Sequence, residues 1–314
     1  MMNQTIEGVL PILHTPFDDH DAIDRDSLKR EIDWAFSVGV QGVCSAMVSE
    51  ILRLTVDERC ELNQLIVEMS GGRGVVVASV GAESTRQAVE LACHAEEAGC
   101  SAVMAIPPVS TALPQHSLWE YFRALADAVD VPLIVQDASS YVGAAIPTSF
   151  YVELLNQYGP DKILFKPEGS PIGPNISALR DASDGRARMF DGSGGILLID
   201  AFRRGVTGTM PGVDLLDGIV ALWKALQNND ETTAYRIYFP ICALVALQMQ
   251  AGLDGFLAVE KHILVKRGLF TTEHRRAPHS WVLDDETRSE VDRLLEMMDA
   301  VLQSIAVTDA GASS

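Results

Sequence analysis

A lysine and a carboxylate stand close together at the end of one apolar segment. Lys166 follows Ile163–Phe165, and Pro167, Glu168 and Gly169 then interrupt the segment. An amine held at an apolar site is poorly solvated, which favours its neutral form, a nucleophile toward carbonyl carbon. If the chain stays extended to Glu168, both side chains point to the same face. The pattern predicts Lys166 as an imine-forming nucleophile and Glu168 as its proton shuttle; a surface lysine and an exposed loop carboxylate are the alternatives.

Further polar side chains follow the preceding apolar segment. Gln136 and Asp137 end it, and Tyr141 comes four residues later. Gln136 can hydrogen-bond a substrate hydroxyl, but it cannot transfer a proton at neutral pH. Asp137 and Tyr141 are alternative acid–base groups, although for Asp137 a side chain bonded to the backbone of its own turn is the favoured interpretation.

Three more segment ends offer binding groups. The second segment is followed by Met47, Val48 and Ser49. Ser49 and the backbone N–H groups of this loop are predicted to hold a substrate carboxylate, with Met47 and Val48 beside it. Gly192 and Ser193 open a glycine-rich turn, which is predicted to line the pocket; a phosphate cradle is the weaker alternative. Thr209, at the end of the last segment, is a further predicted contact.

Such groups need a scaffold that brings several strand ends together. Short apolar segments alternate with amphipathic ones along the first two thirds of the chain. Their apolar residues are mostly consecutive, which is typical of parallel strands covered on both faces. The predicted strands are Gly8–Leu13, Gly42–Ala46, Val75–Ser79, Ala102–Ile106, Leu133–Gln136, Ile163–Lys166, Arg188–Asp191 and Gly205–Thr209.

The segments between these strands have helical periodicity and capping residues. Ser27, Ser84 and Thr55, the last with Glu58 at capping-box spacing, are predicted N-caps, and Gly99 is a predicted C-terminal glycine. Strands alternating with helical crossovers predict an α/β fold, a (β/α)8 TIM barrel whose site lies at the carboxyl ends of the strands. A doubly wound open sheet is the alternative, but no G-x-G-x-x-G follows the first strand.

The barrel is predicted for residues 1–212, which leaves about 100 residues. Residues 213–305 are predicted to form a helical extension packed on the barrel, and the small polar residues 306–314 a disordered tail. The predicted helices of the extension are Leu215–Gln227, Thr232–Met249, Leu257–Arg267 and Asp285–Ser304.

Composition excludes several classes of partner. The 314 residues include 24 Lys and Arg against 43 Asp and Glu, and the net charge of −19 disfavours a nucleic-acid partner. No apolar run is long enough for a membrane span, and the first residues lack a signal-peptide pattern. The 5 cysteines form no C-x-x-C pair, which favours free thiols and a cytoplasmic location. The 7 histidines lack metal-site spacing, so no metal is expected.

Taken in order, a series of short motifs resembles the dihydrodipicolinate synthase / N-acetylneuraminate lyase superfamily of Schiff-base lyases. The resemblance covers nearly the whole chain. It implies Lys166 as the Schiff-base lysine, a small-molecule 2-keto acid as substrate, and a homo-oligomer, either a dimer or a tetramer. It also implies no cofactor, because the lysine itself supplies the electron sink. The motifs are Gly8–Pro11, Thr15–Phe17, Gly39–Val43, Ser49–Glu50, Leu54–Thr55, Glu58–Arg59, Ser84–Thr85, Ala98–Gly99, Ile106–Pro108, Val131–Ile134, Phe165–Lys166 and Gly205–Gly208.

Several positions depart from the family's usual pattern. Met47 and Val48 replace the two hydroxyl residues of the strand-two signature, and Gln136 replaces the proton-relaying tyrosine. Tyr141 stands where the synthases carry a carboxylate-binding arginine. Val109–Ser110 replaces a tyrosine pair, which weakens the expectation of the usual dimer contact.

These departures disfavour a synthase that condenses pyruvate with aspartate semialdehyde. The local pattern of Gln136–Asp137 with Lys166 and Glu168 is more similar to the 2-keto-3-deoxy-L-arabonate dehydratase branch. The sequence therefore predicts a lyase that dehydrates a 2-keto-3-deoxy sugar acid. The alternatives are a pyruvate-dependent aldolase or dihydrodipicolinate synthase, a sugar-phosphate aldolase, and a barrel that binds a keto acid without catalysis.

Overall fold

The computed structural model describes residues 5–139 and 143–312 of the chain, with side chains as far as residue 307. Within these ranges, short strands alternate with helices, and a group of helices follows. The strands are β1 (Gly8–Val9), β2 (Gly42–Cys44), β3 (Val75–Ser79), β4 (Ala102–Ala105), β5 (Leu133–Asp137), β6 (Ile163–Pro167), β7 (Phe190–Asp191) and β8 (Gly208–Thr209). The helices are α1 (Arg25–Val38), α2 (Val56–Ser70), α3 (Thr85–Glu97), α4 (Gln115–Ala128), α5 (Thr148–Tyr158), α6 (Ile172–Ala182), α7 (Leu198–Arg203), α8 (Leu216–Gln227), α9 (Glu231–Gln248), α10 (Gly252–Lys266) and α11 (Asp285–Ala312).

The strands close into a parallel barrel. Strands β2 to β6 pair in chain order, while β8 pairs with both β1 and β7. Single bridges from Ile12 to Cys44 and from Phe165 to Met189 join these two groups at both edges. The predicted (β/α)8 barrel is confirmed, and the open-sheet alternative is wrong, because the sheet has no free edge at which its strand order reverses.

Alternation along each strand divides the core into an inner and an outer part. On β6, Leu164 belongs to the cluster inside the barrel, whereas Phe165 belongs to the outer cluster and meets Tyr151 of α5 at a ring separation of 5.1 Å. Because side chains alternate with a period of two, Lys166 returns to the inner face. The same rule places the side chains of every strand end either in the barrel mouth or against the helices.

Local capping agrees with the sequence at three of the four predicted positions. Thr55 and Glu58 form the reciprocal capping box of α2, Ser84 caps α3, and Gly99 takes a positive φ of 95° after α3. Helix α1 is different, because its N-cap is Asp24, whose carboxylate accepts hydrogen bonds from the N–H groups of residues 26 and 27. An aspartate one turn earlier satisfies the amides that Ser27 was expected to serve.

The first, seventh and eighth strands are shorter than predicted. Continuous pairing covers only the two residues of β1, of β7 and of β8. Ile12 and Met189 keep single bridges beyond these ladders. Strands of a barrel are tilted and staggered, so the hydrogen-bonded pairing of neighbouring strands ends at different positions along the barrel axis.

The C-terminal extension packs on the barrel through α8 and α10. Helix α9 contacts α8, α10 and α11, and α8 contacts β1. Helix α11 continues to Ala312, into the segment for which the sequence predicts a disordered tail, and that prediction stays untested. A helix that has already formed extends at low cost, and Ala310 and Ala312 are strong helix formers.

One stretch of the extension is unusually apolar. By length and composition alone, Glu231–Lys266 is apolar enough to cross a membrane. It comprises α9 and α10, joined by a short 3-10 turn at Met249–Ala251, and Ile241 and Leu257 are fully buried in the core. Such composition is typical of the core helices of a globular protein.

Candidate active site

Lys166 and Glu168 project together into the mouth of the barrel. Each residue is 3% exposed, and Lys166 Nζ lies 3.2 Å from Glu168 Oε2. Burial raises the pKa of Glu168, and this effect outweighs the opposing influence of the Lys166 charge and of hydrogen bonds from Gln136 and Lys166. The structure therefore shows the same-face arrangement predicted from the sequence, with a carboxyl group beside the amine.

Gln136 holds the Glu168 carboxylate from the neighbouring strand. In the β5–β6 ladder Gln136 pairs with Lys166, and Gln136 Nε2 donates a hydrogen bond of 2.7 Å to Glu168 Oε2. The amide cannot take or give a proton, so its contribution is to orient the carboxylate and to stabilise its ionised form.

A cleft with an enclosed volume of about 60 Å³ opens above these residues. The cleft is open to solvent, and its walls are mostly apolar with a few polar groups, as in many ligand sites. The ends of the strands and the segments that follow them supply most of the lining, and α10 supplies the remainder. The lining residues are Ile12, Ala46, Met47, Val48, Gln136, Lys166, Glu168, Gly192, Gly194, Met210, Gly212, Leu253, Phe256 and Glu260.

Gly192 is a contact of the catalytic pair. A Cβ atom at this position would lie 2.3 Å from Glu168 Oε1 and 2.6 Å from Lys166 Cε. Only a residue without a side chain lets the backbone after β7 approach so closely. Gly192 thus lies at the cleft, where the sequence places it, and its contact with substrate stays a prediction.

Ser193 does not line this cleft. It lies in an adjacent groove, where its hydroxyl accepts a hydrogen bond of 3.0 Å from Leu197 N and its N–H donates to Asp191 Oδ1. The hydroxyl is thus used to close the turn before α7, which corrects its assignment as a substrate contact. This arrangement favours the tight-turn interpretation over the phosphate cradle.

The loop after β2 presents side chains different from those expected. Met47 and Val48 line the cleft as predicted. Ser49 is buried, and its hydroxyl donates to Leu13 O and accepts a hydrogen bond of 3.1 Å from Ala46 N. The expectation that the Ser49 side chain binds substrate is therefore wrong, because the loop itself uses the hydroxyl. The first N–H groups of the 3-10 turn Met47–Ser49 have no acceptor within the turn.

Two predicted residues face the helices instead of the cleft. Asp137 accepts hydrogen bonds of 2.9 Å from Ser139 N and from Ile146 N. Thr209 donates a hydrogen bond of 3.1 Å to Asp191 Oδ2 and does not line the cleft. Neither residue serves the site, because Asp137 follows the inward-facing Gln136 and Thr209 precedes the inward-facing Met210, so alternation turns both outward. The favoured interpretation of Asp137, a side chain bonded to the backbone of its own turn, agrees with these contacts. Tyr141 lies outside the described residues.

Sequence reasoning missed a cluster of ionisable residues at the opposite wall. Glu260 of α10 lines the cleft, and its Oε2 lies 2.7 Å from Nε2 of the buried His14. Burial lowers the pKa of His14, but Glu260 and Glu31 together outweigh this effect and raise it to about 10. The pKa of buried Asp214 is raised to about 7 by burial and by the Glu260 charge. No local signal connects residues that are 246 positions apart.

A buried ion pair fixes α10 against the barrel. Lys261 is fully buried, and its Nζ donates to Glu50 Oε1 at 2.5 Å and to Thr15 O at 2.9 Å. Glu50, which follows the β2 loop, therefore binds the extension and not the cleft. The pair holds the neighbouring Glu260 at a defined position above β1 and β8.

The combined groups can perform imine chemistry. An amine, a carboxyl group with a raised pKa and a fixed amide meet in one cleft. These are a nucleophile, a proton shuttle and an orienting group. Among the residues described, no three or more His, Cys, Asp or Glu side chains form a cluster suited to a metal ion.

Comparison with known proteins identifies relatives over most of the chain. Residues 5–297 match the model of the dihydrodipicolinate synthetase family. The chain is 27% identical over 303 residues to L-2-keto-3-deoxyarabonate dehydratase of Azospirillum brasilense, which covers 94% of this chain and 95% of that protein. It is 30% identical over 245 residues to 4-hydroxy-tetrahydrodipicolinate synthase of Methanosarcina mazei, covering 76% of this chain and 81% of that one.

Solved structures agree with the barrel. Dihydrodipicolinate synthase from Rhodopseudomonas palustris superposes with a TM-score of 0.85 at 26% identity, covering 95% of this chain and 99% of that chain. Both the barrel and the helical extension therefore have counterparts in a known structure.

Proposed function

This chain belongs to the dihydrodipicolinate synthetase family, whose members are lyases, and from that premise we propose that it dehydrates a 2-keto-3-deoxy sugar acid through a Schiff base on Lys166. The observation that carries the proposal is the Glu168 carboxyl group 3.2 Å from Lys166 Nζ. In an imine formed at C2 of the substrate, C3 is only two bonds from that nitrogen. Glu168 is therefore well placed to act on the C3 proton.

The proposed reaction begins with proton transfer from Lys166 to Glu168, which frees the amine to attack the C2 ketone. Glu168 returns its proton to the carbinolamine hydroxyl, which leaves as water, so that Glu168 is again a carboxylate and the product is an iminium, an electron sink that makes the C3 proton acidic. Glu168 takes that proton, and the resulting enamine expels the C4 hydroxyl as the C4–O bond breaks. The proton held by Glu168 passes to the leaving oxygen, so that water departs, and hydrolysis of the imine restores Lys166.

Two features support dehydration over cleavage of the C3–C4 bond. Aldol cleavage starts from the same imine but removes the proton of the C4 hydroxyl, and the tyrosine that usually relays this proton in the family is here Gln136, whose amide cannot accept it. Glu168, which lies beside the imine nitrogen, is instead assigned to the C3 proton. The Azospirillum brasilense relative, which is named as a dehydratase, aligns over 94% of this chain.

The substrate carboxylate is expected at the N–H groups of Met47 and Val48, which have no acceptor within their own turn.

A synthase or aldolase is the second candidate, because the Methanosarcina mazei synthase is 30% identical over 245 residues. The test is intact mass after borohydride reduction, with pyruvate and with a panel of 2-keto-3-deoxy sugar acids, followed by product analysis. We expect a single adduct on Lys166 and a product that has lost water. Lys166→Gln should abolish the adduct, whereas Lys224→Gln on the exposed face of α8 should retain it. Pyruvate and an aldehyde as products would instead support the aldolase, and a folded protein that forms no adduct would indicate a non-catalytic barrel.

A further inference from the structure

Glu260 occupies an unusual position for a buried carboxylate. It is 3% exposed and lines the cleft among the apolar side chains of Ile12, Met210 and Phe256. Its Oε2 accepts a hydrogen bond of 2.7 Å from His14 Nε2, whereas its Oε1 accepts none from the residues that the structure describes. Because Glu260 lines the cleft, this oxygen is placed to accept a hydrogen bond from a ligand, and such a bond is strong where little water competes for it.

His14 fixes the orientation of this carboxylate. The ring is fully buried, with Nδ1 3.3 Å from Glu31 Oε1 and Nε2 on Glu260. With its pKa raised to about 10, the imidazole is protonated at neutral pH, and both ring nitrogens then donate. One oxygen of Glu260 is thereby held by a charged donor, and the other is left as an acceptor on the cleft side.

The position of Glu260 separates it from the imine. Lys166 enters the cleft from β6, whereas Glu260 enters from α10, and a Cβ atom at Gly212, just after β8, would lie 2.7 Å from Glu260 Oε1. Two strand spacings of about 4.8 Å each separate β6 from β8. A ligand that reaches both groups therefore extends beyond its keto group toward β8.

The charge of this wall restricts the chemistry of that distal end. Asp214 Oδ1 also approaches Gly212 at 2.7 Å from the same Cβ position, and Glu31 lies behind His14. Lys261 lies near Glu31 and Arg267 near Asp214, but neither cation lines the cleft. A carboxylate accepts hydrogen bonds and donates none, so it attracts a hydroxyl and repels a second carboxylate or a phosphate.

We propose that Glu260, oriented by His14, is the specificity-determining residue of the cleft, and that it selects 2-keto acids with a neutral, hydroxylated distal end against those with an anionic one. This inference rests on the proposed function, because it takes the keto group to be fixed on Lys166. Glu260 contacts the substrate, whereas His14 is a positioning residue that acts through it.

The test compares Glu260→Gln with the unchanged protein by borohydride trapping over a range of ligand concentrations. The ligands are pyruvate, a 2-keto-3-deoxy pentonate and 2-oxoglutarate, which respectively lack a distal group, carry hydroxyls and carry a carboxylate. In Glu260→Gln, the concentration of pentonate that gives half-maximal trapping should rise about 10-fold, because a charge-assisted acceptor is removed. The corresponding concentration of 2-oxoglutarate should fall about 10-fold, because a repulsive charge is removed. Pyruvate should change less than about twofold on the same grounds.

A matched control is Glu273→Gln, which alters another histidine–glutamate pair on the extension. Glu273 Oε1 lies 2.8 Å from His262 Nδ1, and Glu273 does not line the cleft. Glu273→Gln should leave the half-saturating concentrations of all three ligands unchanged. His14→Asn should raise KM for the pentonate while pyruvate trapping stays the same, because only the orientation of Glu260 is lost.

The outcomes separate this inference from the function on which it rests. Equal changes for all three ligands, or no change, would overturn the role of Glu260 while leaving the imine chemistry intact. Failure of the unchanged protein to trap any keto acid would overturn both. If Glu260→Gln does not fold, the unchanged protein still decides the matter: the pentonate should saturate about 10-fold more tightly than 2-oxopentanoate, which lacks the hydroxyls, and equal affinity would refute the proposal.

Discussion

The backbone of Gly192 passes so close to Glu168 that a methyl group at residue 192 would lie 2.3 Å from the carboxylate. The strand end after β7 therefore sets the position of the carboxyl group on β6. Glu168, just after β6, fits at its observed position because Gly192, just after β7, has no side chain.

Gly192→Ala is expected to displace the Glu168 carboxylate and Lys166 Cε together. A displacement of about 1 Å at reacting groups costs on the order of 100-fold in rate, so adduct formation should slow by that factor. The measurement is the rate of borohydride-trapped adduct formation with pyruvate. Gly218→Ala is the control, because its Cβ would crowd Met298 Sδ at 3.0 Å within the extension. Gly218→Ala should lower the melting temperature and leave the rate of adduct formation unchanged. An unchanged rate of adduct formation in Gly192→Ala would contradict the prediction.

Glu168→Gln is expected to separate imine formation from the later proton transfers. Removal of a general acid–base group costs about 100- to 10,000-fold in turnover. Dehydration of a 2-keto-3-deoxy sugar acid should therefore fall by that range, while pyruvate still labels Lys166 to completion, at a lower rate because Glu168 no longer takes the proton of the amine. Glu153→Gln, at an exposed position of α5, serves as the control and should behave as the unchanged protein. Turnover within twofold of the unchanged protein would show that Glu168 is not the proton shuttle.

Gln136→Leu is expected to shift the pH dependence of the reaction. The hydrogen bond from Gln136 lowers the pKa of Glu168, so its loss raises that pKa further. A higher pH is then needed to ionise the base, and the acid limb of the kcat/KM profile should move to higher pH. Gln227→Leu on the exposed face of α8 should leave the profile in place. A shift toward lower pH would refute the assigned role.

Acid is expected to loosen the attachment of the extension. The pKa of Glu58 is lowered to about 2 chiefly by Arg276, and that of Glu273 to about 2 chiefly by His262. Burial alone would raise the pKa of Asp254, but Ser280 and Arg53 lower it to about 2. Because the folded pKa values lie below the unfolded ones, the stabilisation is complete above about pH 4.5 and is lost as the pH falls toward 2.

Urea unfolding at a series of pH values checks this prediction. The free energy of unfolding should decline between about pH 4.5 and pH 2, and Glu58→Gln should make the decline shallower. Glu90→Gln is the control, since Glu90 and its partner Arg86 are largely exposed, at 62% and 88%. A free energy that does not change over this pH range would count against the role of these ion pairs.

The sequence by itself determined the features that depend on neighbouring residues. Consecutive apolar residues indicated buried parallel strands, and the capping box of Thr55 and Glu58 marked the start of α2. The spacing of Lys166 and Glu168 fixed their shared face, because extended chain repeats every two residues. These relationships act over a few positions, so a local pattern is sufficient to reveal them.

Only the tertiary structure decided which face of each strand end meets the cleft. Gln136 and Asp137 are adjacent, and both are polar enough for a site, but barrel closure turns Gln136 inward and Asp137 toward the helices. Ser49 does not face the cleft for a different reason, because backbone groups of Ala46 and Leu13 bind its hydroxyl. Composition does not distinguish these cases, since the choice depends on the register of each strand in the closed barrel.

The pairing of His14 with Glu260 depended entirely on packing. The two residues are 246 positions apart, and nothing in either local sequence indicates the other. They meet because the buried ion pair of Lys261 with Glu50 seats α10 over the mouth of the barrel. The strands thus determined where an imine can form, whereas the docking of a helix from outside the barrel determined which side chain faces the far end of the cleft. That docking is decided by burial and long-range charge pairing, which are properties of the folded chain.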